Sequence, residues 1–264
     1  MKKSLAIAAS LTLAAGASAS VWQWNWNKAQ GAGAGGAISN AAGTFESIQA
    51  SFNDVTKELV WNATFSDQTT RAYTLAINKG PNPKGKPGEL ALIYFDADLT
   101  PSTPKVSVFG YNGANAANSY VDGDGVAAGT QSPTKIFKGS AATESSSDWL
   151  KVATMQDIGS KRVFSLTIDA SSINGFNNSF SAPYGVSWTG AAFAEKLGLW
   201  FHTYKSITTG YGSDGYLNNW NAGTTGYFDG SNFSTLLVVP MPSAVGMGLV
   251  GLAGVGYLKR RRLA

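Results

Sequence analysis

Apolar and polar positions alternate with a period of two through most of the chain. Leu59, Trp61, Ala63 and Phe65 alternate with Glu58, Val60, Asn62 and Thr64, and the spacing recurs at Tyr73, Leu75 and Ile77, at Phe164, Leu166 and Ile168, and at Leu197, Leu199 and Phe201. Successive side chains of a strand point to opposite faces, so each run predicts a strand with one face buried. Leu90 to Phe95 reads Leu-Ala-Leu-Ile-Tyr-Phe without a polar break, which predicts a central strand covered on both faces. Segments 78–88, 110–129 and 171–190 are dense in Gly, Pro, Asn and Ser and predict turns and long loops. Between the two ends of the chain no 3.6-residue period lasts beyond a turn or two, and no fixed repeat is present. The pattern predicts an all-β chain: a single β-sandwich, jelly-roll or lectin-like. Its expected core is Trp61, Phe65, Leu75, Ile77, Leu92, Tyr94, Phe164, Leu166, Ile168, Leu199 and Phe201. The 31 Gly and 12% aromatic residues agree with such a fold.

Both ends depart from this pattern. Lys2 and Lys3 precede an apolar stretch from Leu5 to Ala15, and Ala17-Ser18-Ala19 supplies the small residues of a cleavage site. Residues 1–19 therefore predict a signal peptide cut near Ser20, and an exported chain. At the other end, Val239-Pro240-Met241-Pro242 is followed by an uncharged Gly/Leu-rich run to Leu258 and then by Lys259, Arg260, Arg261 and Arg262. An apolar run capped by cations predicts a transmembrane helix whose basic end stays in the cytoplasm. As a helix the run would reach about 24 Å against roughly 30 Å of hydrocarbon, a short span.

This order of proline pair, Gly/Leu span and Arg run resembles the PEP-CTERM sorting signal, the C-terminal tag recognised and cut by exosortases. The resemblance covers residues 239–264, and Met241 stands where the family core has Glu. It implies an exosortase-like processing protease as partner, at least transient anchorage in the inner membrane, and delivery to the cell surface in bacteria that make exopolysaccharide.

Assigning the ends changes the meaning of the charge. The chain has 20 Lys+Arg against 16 Asp+Glu, but six of the cations belong to the targeting segments, which leaves 14 against 16 in the body, residues 20–238. The basic pI of about 9.1 thus points to no nucleic-acid partner. Without cysteine, disulfides, thiolate catalysis and Cys-based metal sites are excluded. A body of about 220 residues is enough for one ordinary hydrophobic core.

Trp22, Trp24 and Trp26 lie two apart, which on a strand sets three indoles on one face about 6.6 Å apart. Such a row either covers a sheet or stacks on sugar rings. Tyr211, Asp214, Tyr216 and Trp220 fall in a segment that mixes aromatics with amides. It reads as a loop, and aromatic planes beside hydrogen-bonding groups suit carbohydrate. Asp122-Gly-Asp124-Gly invites calcium, but Gly129 occupies the position where an EF-type loop needs Glu. Asp96 and Asp98 form a weaker cation candidate. Gly31-Ala-Gly33-Ala-Gly-Gly36 matches a dinucleotide fingerprint without the strand and helix that give it meaning. His202, the one histidine, falls on the face opposite Leu199 and Phe201, beside Trp200 and Tyr204, and reads as structural. No Gly-x-Ser-x-Gly elbow or carboxylate motif supports catalysis, and no cofactor is expected. The leading expectation is a non-enzymatic cell-envelope or extracellular-matrix protein. A lectin-like carbohydrate-binding module comes second and a secreted polysaccharide hydrolase third.

Overall fold

The alternating runs form strands as their spacing requires. The computed structural model describes residues 20–28, 38–78, 90–98, 101, 103–111, 134–140, 149–174, 190–194, 197–230, 235–236 and 239–240. Val21–Val239 is one of the two units into which the chain divides; the other, Met1–Ser20 with Pro240–Ala264, lies almost wholly outside the described residues. The described residues are mostly strand, arranged in antiparallel sheets.

The first sheet contains β1 (Ser20–Asn27), β3 (Phe45–Asn53), β4 (Glu58–Phe65), β9 (Leu150–Ile158), β10 (Lys161–Asp169) and β15 (Thr235–Leu236), in the order β15-β1-β3-β4-β10-β9, with β16 (Val239–Pro240) also paired to β1. The second contains β2 (Ile38–Ser39), β5 (Ala72–Asn78), β6 (Leu90–Asp96), β7 (Lys105–Tyr111), β8 (Thr134–Ser140), β11 (Gly198–Tyr204) and β14 (Thr225–Gly230), in the order β2-β14-β11-β5-β6-β7-β8. A third, two-stranded sheet pairs β12 (Ile207–Tyr211) with β13 (Leu217–Ala222). The one described helix, α1, is the single turn Ser171–Asn174.

Local chemistry sets the tight connections. Asn53 Oδ1 accepts from the backbone N–H groups of Val55 (2.9 Å) and Thr56 (3.1 Å), an Asx-type turn that joins β3 to β4. Gly159, with φ of +62°, and Ser160 form a two-residue loop between the paired Ile158 and Lys161. A left-handed glycine is what such a hairpin demands.

The inward faces of the two large sheets share an aromatic core. Trp61 and Phe65 of the first sheet meet Phe201 of the second at 6.1 and 6.2 Å between ring centroids, Phe164 meets Tyr73 at 5.5 Å and Phe95 at 5.6 Å, and Phe45 stacks on Phe228 at 4.1 Å. The tilted Trp61–Phe201 pair and the edge-on Phe164–Tyr73 and Phe164–Phe95 pairs have the geometry that ring quadrupoles favour, which adds to the gain from burial. Nine of the expected core residues lie here. Leu92 and Tyr94 do not: they point to the opposite face of β6, into a second cluster with Phe109, Tyr204, Ile207, Leu217 and Trp220. The uninterrupted apolar run of β6 thus has both faces covered, one by the first sheet and one by the β12-β13 hairpin.

Two polar fixtures close the rim. Arg162 sits at an inward position, 3% exposed. Its Nε and Nη2 donate to both oxygens of Asp157 (2.7 and 2.9 Å), and Nη1 donates to the Thr70 carbonyl (2.7 Å). This forked hydrogen bond from Arg162 holds the Asp157 carboxyl below its usual range, against a weaker upward push from burial. Nearby, burial pushes Asp67 upward, but hydrogen bonds from Thr44 and Thr69 outweigh it and hold the group at about 2. The facing turn, which precedes β3, needs Gly43, at φ of +115°, where any Cβ would collide with Thr70 Oγ1.

The core also carries an uncompensated cost. The Tyr73 hydroxyl is fully buried and makes no hydrogen bond, and burial raises its pKa well above the ordinary value. Removing an unpaired buried hydroxyl relieves its desolvation penalty. Tyr73→Phe is expected to raise unfolding stability by about 1 kcal/mol, read as a shift in the denaturation midpoint at unchanged slope; a loss of stability would refute the assignment.

Candidate functional site

The outward face of the second sheet brings aromatic and titratable side chains together. Leu199 and Phe201 point into the core, so Trp200, His202 and Tyr204 of β11 point out. Register places Tyr227 opposite His202 and Asp229 opposite Trp200 on β14, and Thr74 opposite His202 and Ala76 opposite Trp200 on β5. Ser39 of β2 lies beyond Tyr227. Trp200 stacks on Tyr227 with centroids 5.2 Å apart and 17° between planes, and His202 lies 5.1 Å from Trp200 and 6.1 Å from Tyr227. Trp200, His202, Tyr227 and Asp229 are all half-buried, with part of each side chain open to solvent. The result is a flat aromatic ledge edged by an imidazole, a carboxylate and hydroxyls.

One end of the ledge runs into the hairpin. The Tyr204 hydroxyl lies 3.4 Å from His202 Nδ1 and 2.9 Å from Thr74 Oγ1. Tyr204 also meets Trp220 edge-on at 5.2 Å, and Trp220 meets Tyr94 at 5.2 Å. The ledge is therefore the open end of a chain of rings whose far end is buried beneath β12-β13. Rings fixed by such packing keep their orientation, as a binding platform requires.

The residues expected to bind carbohydrate take other places. The segment from Tyr211 to Trp220 is a loop only at its tip, Gly212–Tyr216, which holds Asp214 and Tyr216; Tyr211 and Trp220 lie on the strands of the hairpin β12-β13. Trp220 is 4% exposed and holds the hairpin to the sheet. Tyr211 donates its hydroxyl to Asp96 Oδ2 (2.7 Å) while Lys105 Nζ lies 4.1 Å over its ring. Burial, then the charge of Asp96, raises the Tyr211 pKa far above normal, so it stays a donor. Asp214 is exposed at the tip, where Oδ1 accepts from the Tyr216 N–H at 3.1 Å; Tyr216 is half-buried against the second cluster. Trp24 and Trp26, at 0% and 1% exposure, point into the main core with Trp22 packed at its edge. Trp24 and Trp26 thus cover the inside of the first sheet and offer no face to a ligand, while Trp22 stays partly exposed at its edge.

Asp96 and Asp98 tie the hairpin down instead of gathering into a cation site. Asp96 Oδ2 accepts from Thr209 Oγ1 (2.9 Å) as well as Tyr211, and Asp98 Oδ2 accepts from the Ile207 N–H (3.1 Å). Among the described residues no three His, Asp or Glu side chains come together to hold a metal. Asp122, Asp124 and the Gly31–Gly36 segment lie outside the described residues. Of the residues that the tail resemblance singles out, Val239–Pro240 form a two-residue strand, and Met241, Pro242 and Lys259 to Arg262 lie outside the described residues. No helix among the described residues is long and apolar enough to cross a membrane.

The chain matches no family model, no curated protein and no solved structure. The alternation of β11 alone makes Trp200, His202 and Tyr204 neighbours on one face. No local pattern points to Tyr227 and Asp229, whose link to them is long-range strand pairing.

Proposed function

We propose that this chain is an exported, non-enzymatic protein of the cell envelope or extracellular matrix, with a β-sandwich body of jelly-roll or lectin-like type that binds glycan on its outer face. The observation that carries the reading is the half-buried Trp200–Tyr227 stack with His202 and Asp229 beside it. An indole face takes the apolar side of a sugar ring, and neighbouring imidazole, carboxylate and hydroxyl groups take its hydroxyls. Binding is favoured over hydrolysis because glycoside cleavage needs a pair of carboxyl groups flanking the bond. Among the described outward positions of β2, β14, β11 and β5, the carboxylate is Asp229 alone.

Trp200→Ala in the purified full chain is expected to weaken binding of soluble cello-oligosaccharide, mannan or xylan, whichever the native protein binds, at least about tenfold, or about 1.4 kcal/mol. Fluorescence titration or calorimetry reads the change; native-like affinity in the variant, or no binding by the native chain to any neutral or acidic polysaccharide, would sink the reading.

The export part rests on the signal-peptide pattern of residues 1–19 and the PEP-CTERM-like order of residues 239–264. The four cations from Lys259 to Arg262 are costly to carry across hydrocarbon, so they would stop transfer with the body outside. An exosortase-like protease would then cut near Pro240–Pro242. Intact-mass measurement of the surface protein should give a mature form that starts near Ser20 and ends before the apolar span. A surface form that runs through to Ala264 would refute processing.

A further inference from the structure

The outward face of the first sheet carries a second feature, chemically unlike the ledge. Burying Trp22, Trp24 and Trp26 turns the intervening residues of β1 outward, and register extends them into rows across the sheet. Asn25 pairs with Gln49, Gln49 with Asn62, Asn62 with Ser165 and Ser165 with Thr154, so five uncharged hydrogen-bonding side chains lie side by side across β1, β3, β4, β10 and β9. A flanking row adds Gln23 opposite Ser51. At the β1-β3-β4 end the surface sinks into a depression of about 360 Å³ lined by Gln23, Asn25, Gln49, Ser51 and Asn62, with Ala50 and Val60.

Its chemistry selects a ligand class. Each amide offers two donors and a carbonyl acceptor, and each hydroxyl offers both roles, which matches a partner whose own groups are donor and acceptor at once. The lining contains no ionisable group. The lysines on this sheet are turned to their own acids, Lys151 Nζ to Glu58 at 2.6 Å and Lys161 Nζ to Glu46 at 2.5 Å, so an anionic chain would find its countercharges already engaged. Strands about 4.8 Å apart make the row a track of roughly 19 Å, long enough for several sugar units. We propose that this amide track is a second binding site for a neutral, hydroxyl-rich polymer, and that the body joins two glycan chains through opposite outer faces. The bridging role rests on the ledge binding proposed above; the track itself does not.

Calorimetric titration of the purified full chain with a short neutral oligosaccharide, alongside light scattering with the long polymer, tests both sites separately. The native chain should bind two oligosaccharides and cross-link the polymer into a turbid network. Asn25→Ala with Gln49→Ala, both at exposed positions, should leave one site and abolish cross-linking while melting as the native chain does. Asn62→Ala gives a second reading if that double variant melts early. Trp200→Ala should also leave one site, that of the track, and the combined variant none. Two sites retained without Asn25 and Gln49, or a native stoichiometry of one that only Trp200→Ala removes, overturns the track and leaves the ledge standing. A site that survives Trp200→Ala but is lost with Asn25 and Gln49 keeps the track, even if the ledge fails. A dimer in solution that the Asn25/Gln49 variant dissolves would assign the face to a second copy of the chain and overturn the glycan track.

Discussion

Trp61→Ala is expected to cost about 3–5 kcal/mol of unfolding stability, the range for deleting a large aromatic from a packed core. Trp61 is fully buried, and its indole lies 5.9 Å from Trp26 of the neighbouring region of its own sheet and 6.1 Å from Phe201 of the facing sheet. Removing it opens a void that rigid strands on both sides cannot collapse into. In a domain of this size the loss corresponds to a fall in melting temperature on the order of 10 °C. Trp61→Phe should recover part of it, because the indole N–H has no hydrogen-bond partner and its deletion carries no penalty of its own. A melting temperature for Trp61→Ala within a degree or two of the native value would contradict the shared core.

Asp96→Ala is the second large effect, and it is local in origin. The Asp96 side chain is 2% exposed and accepts from Tyr211 and Thr209 on the hairpin and from the Asp98 N–H. Alanine would leave the two hairpin hydroxyls without their acceptor, a cost of about 3 kcal/mol at roughly 1–3 kcal/mol per orphaned buried group. The hairpin should loosen first, with faster amide exchange across Ile207–Ala222 and greater binding of an apolar dye to the uncovered Leu92, Tyr94 and Phe109. Asp96→Asn, which keeps one carbonyl acceptor, should fall between. Uniform destabilisation with no extra exchange in the hairpin would show that Asp96 does not act as its anchor.

These two residues mark what was legible in the sequence. Trp61 was readable because strict alternation in β4 placed it on one face with Leu59 and Phe65, and period two is a direct image of the pleat. The run Leu90–Phe95 announced a strand with two covered faces, yet nothing showed that a hairpin supplies the second cover. The reason is a bulge: Gly210 pairs with Asn219 but Tyr211 with Leu217, so Asn218 is an extra residue in β13. Leu217 and Trp220, three apart, then share a face, and the alternation that marks a strand is lost. The Trp22–Trp26 row gave its face correctly but not the direction of that face. In hindsight the amides between the indoles carried the answer, since Gln23, Asn25 and Asn27 could not all be buried without partners. The ledge was half legible. Trp200, His202 and Tyr204 share a strand, while Tyr227 and Asp229 reach them only through a pairing that no local pattern encodes.

That dependence on distant pairing has a kinetic consequence. Trp24 pairs with Leu236 and Phe65 with Arg162, and β11 lies between β5 and β14, so neither large sheet can be completed until strands far apart in the chain have met. Folding slows as such contacts come to dominate, because loop closure must precede their reward. Under the export proposed above, this delay would help: translocation needs an unfolded chain, and a body that cannot close until its distant strands have met stays threadable for longer.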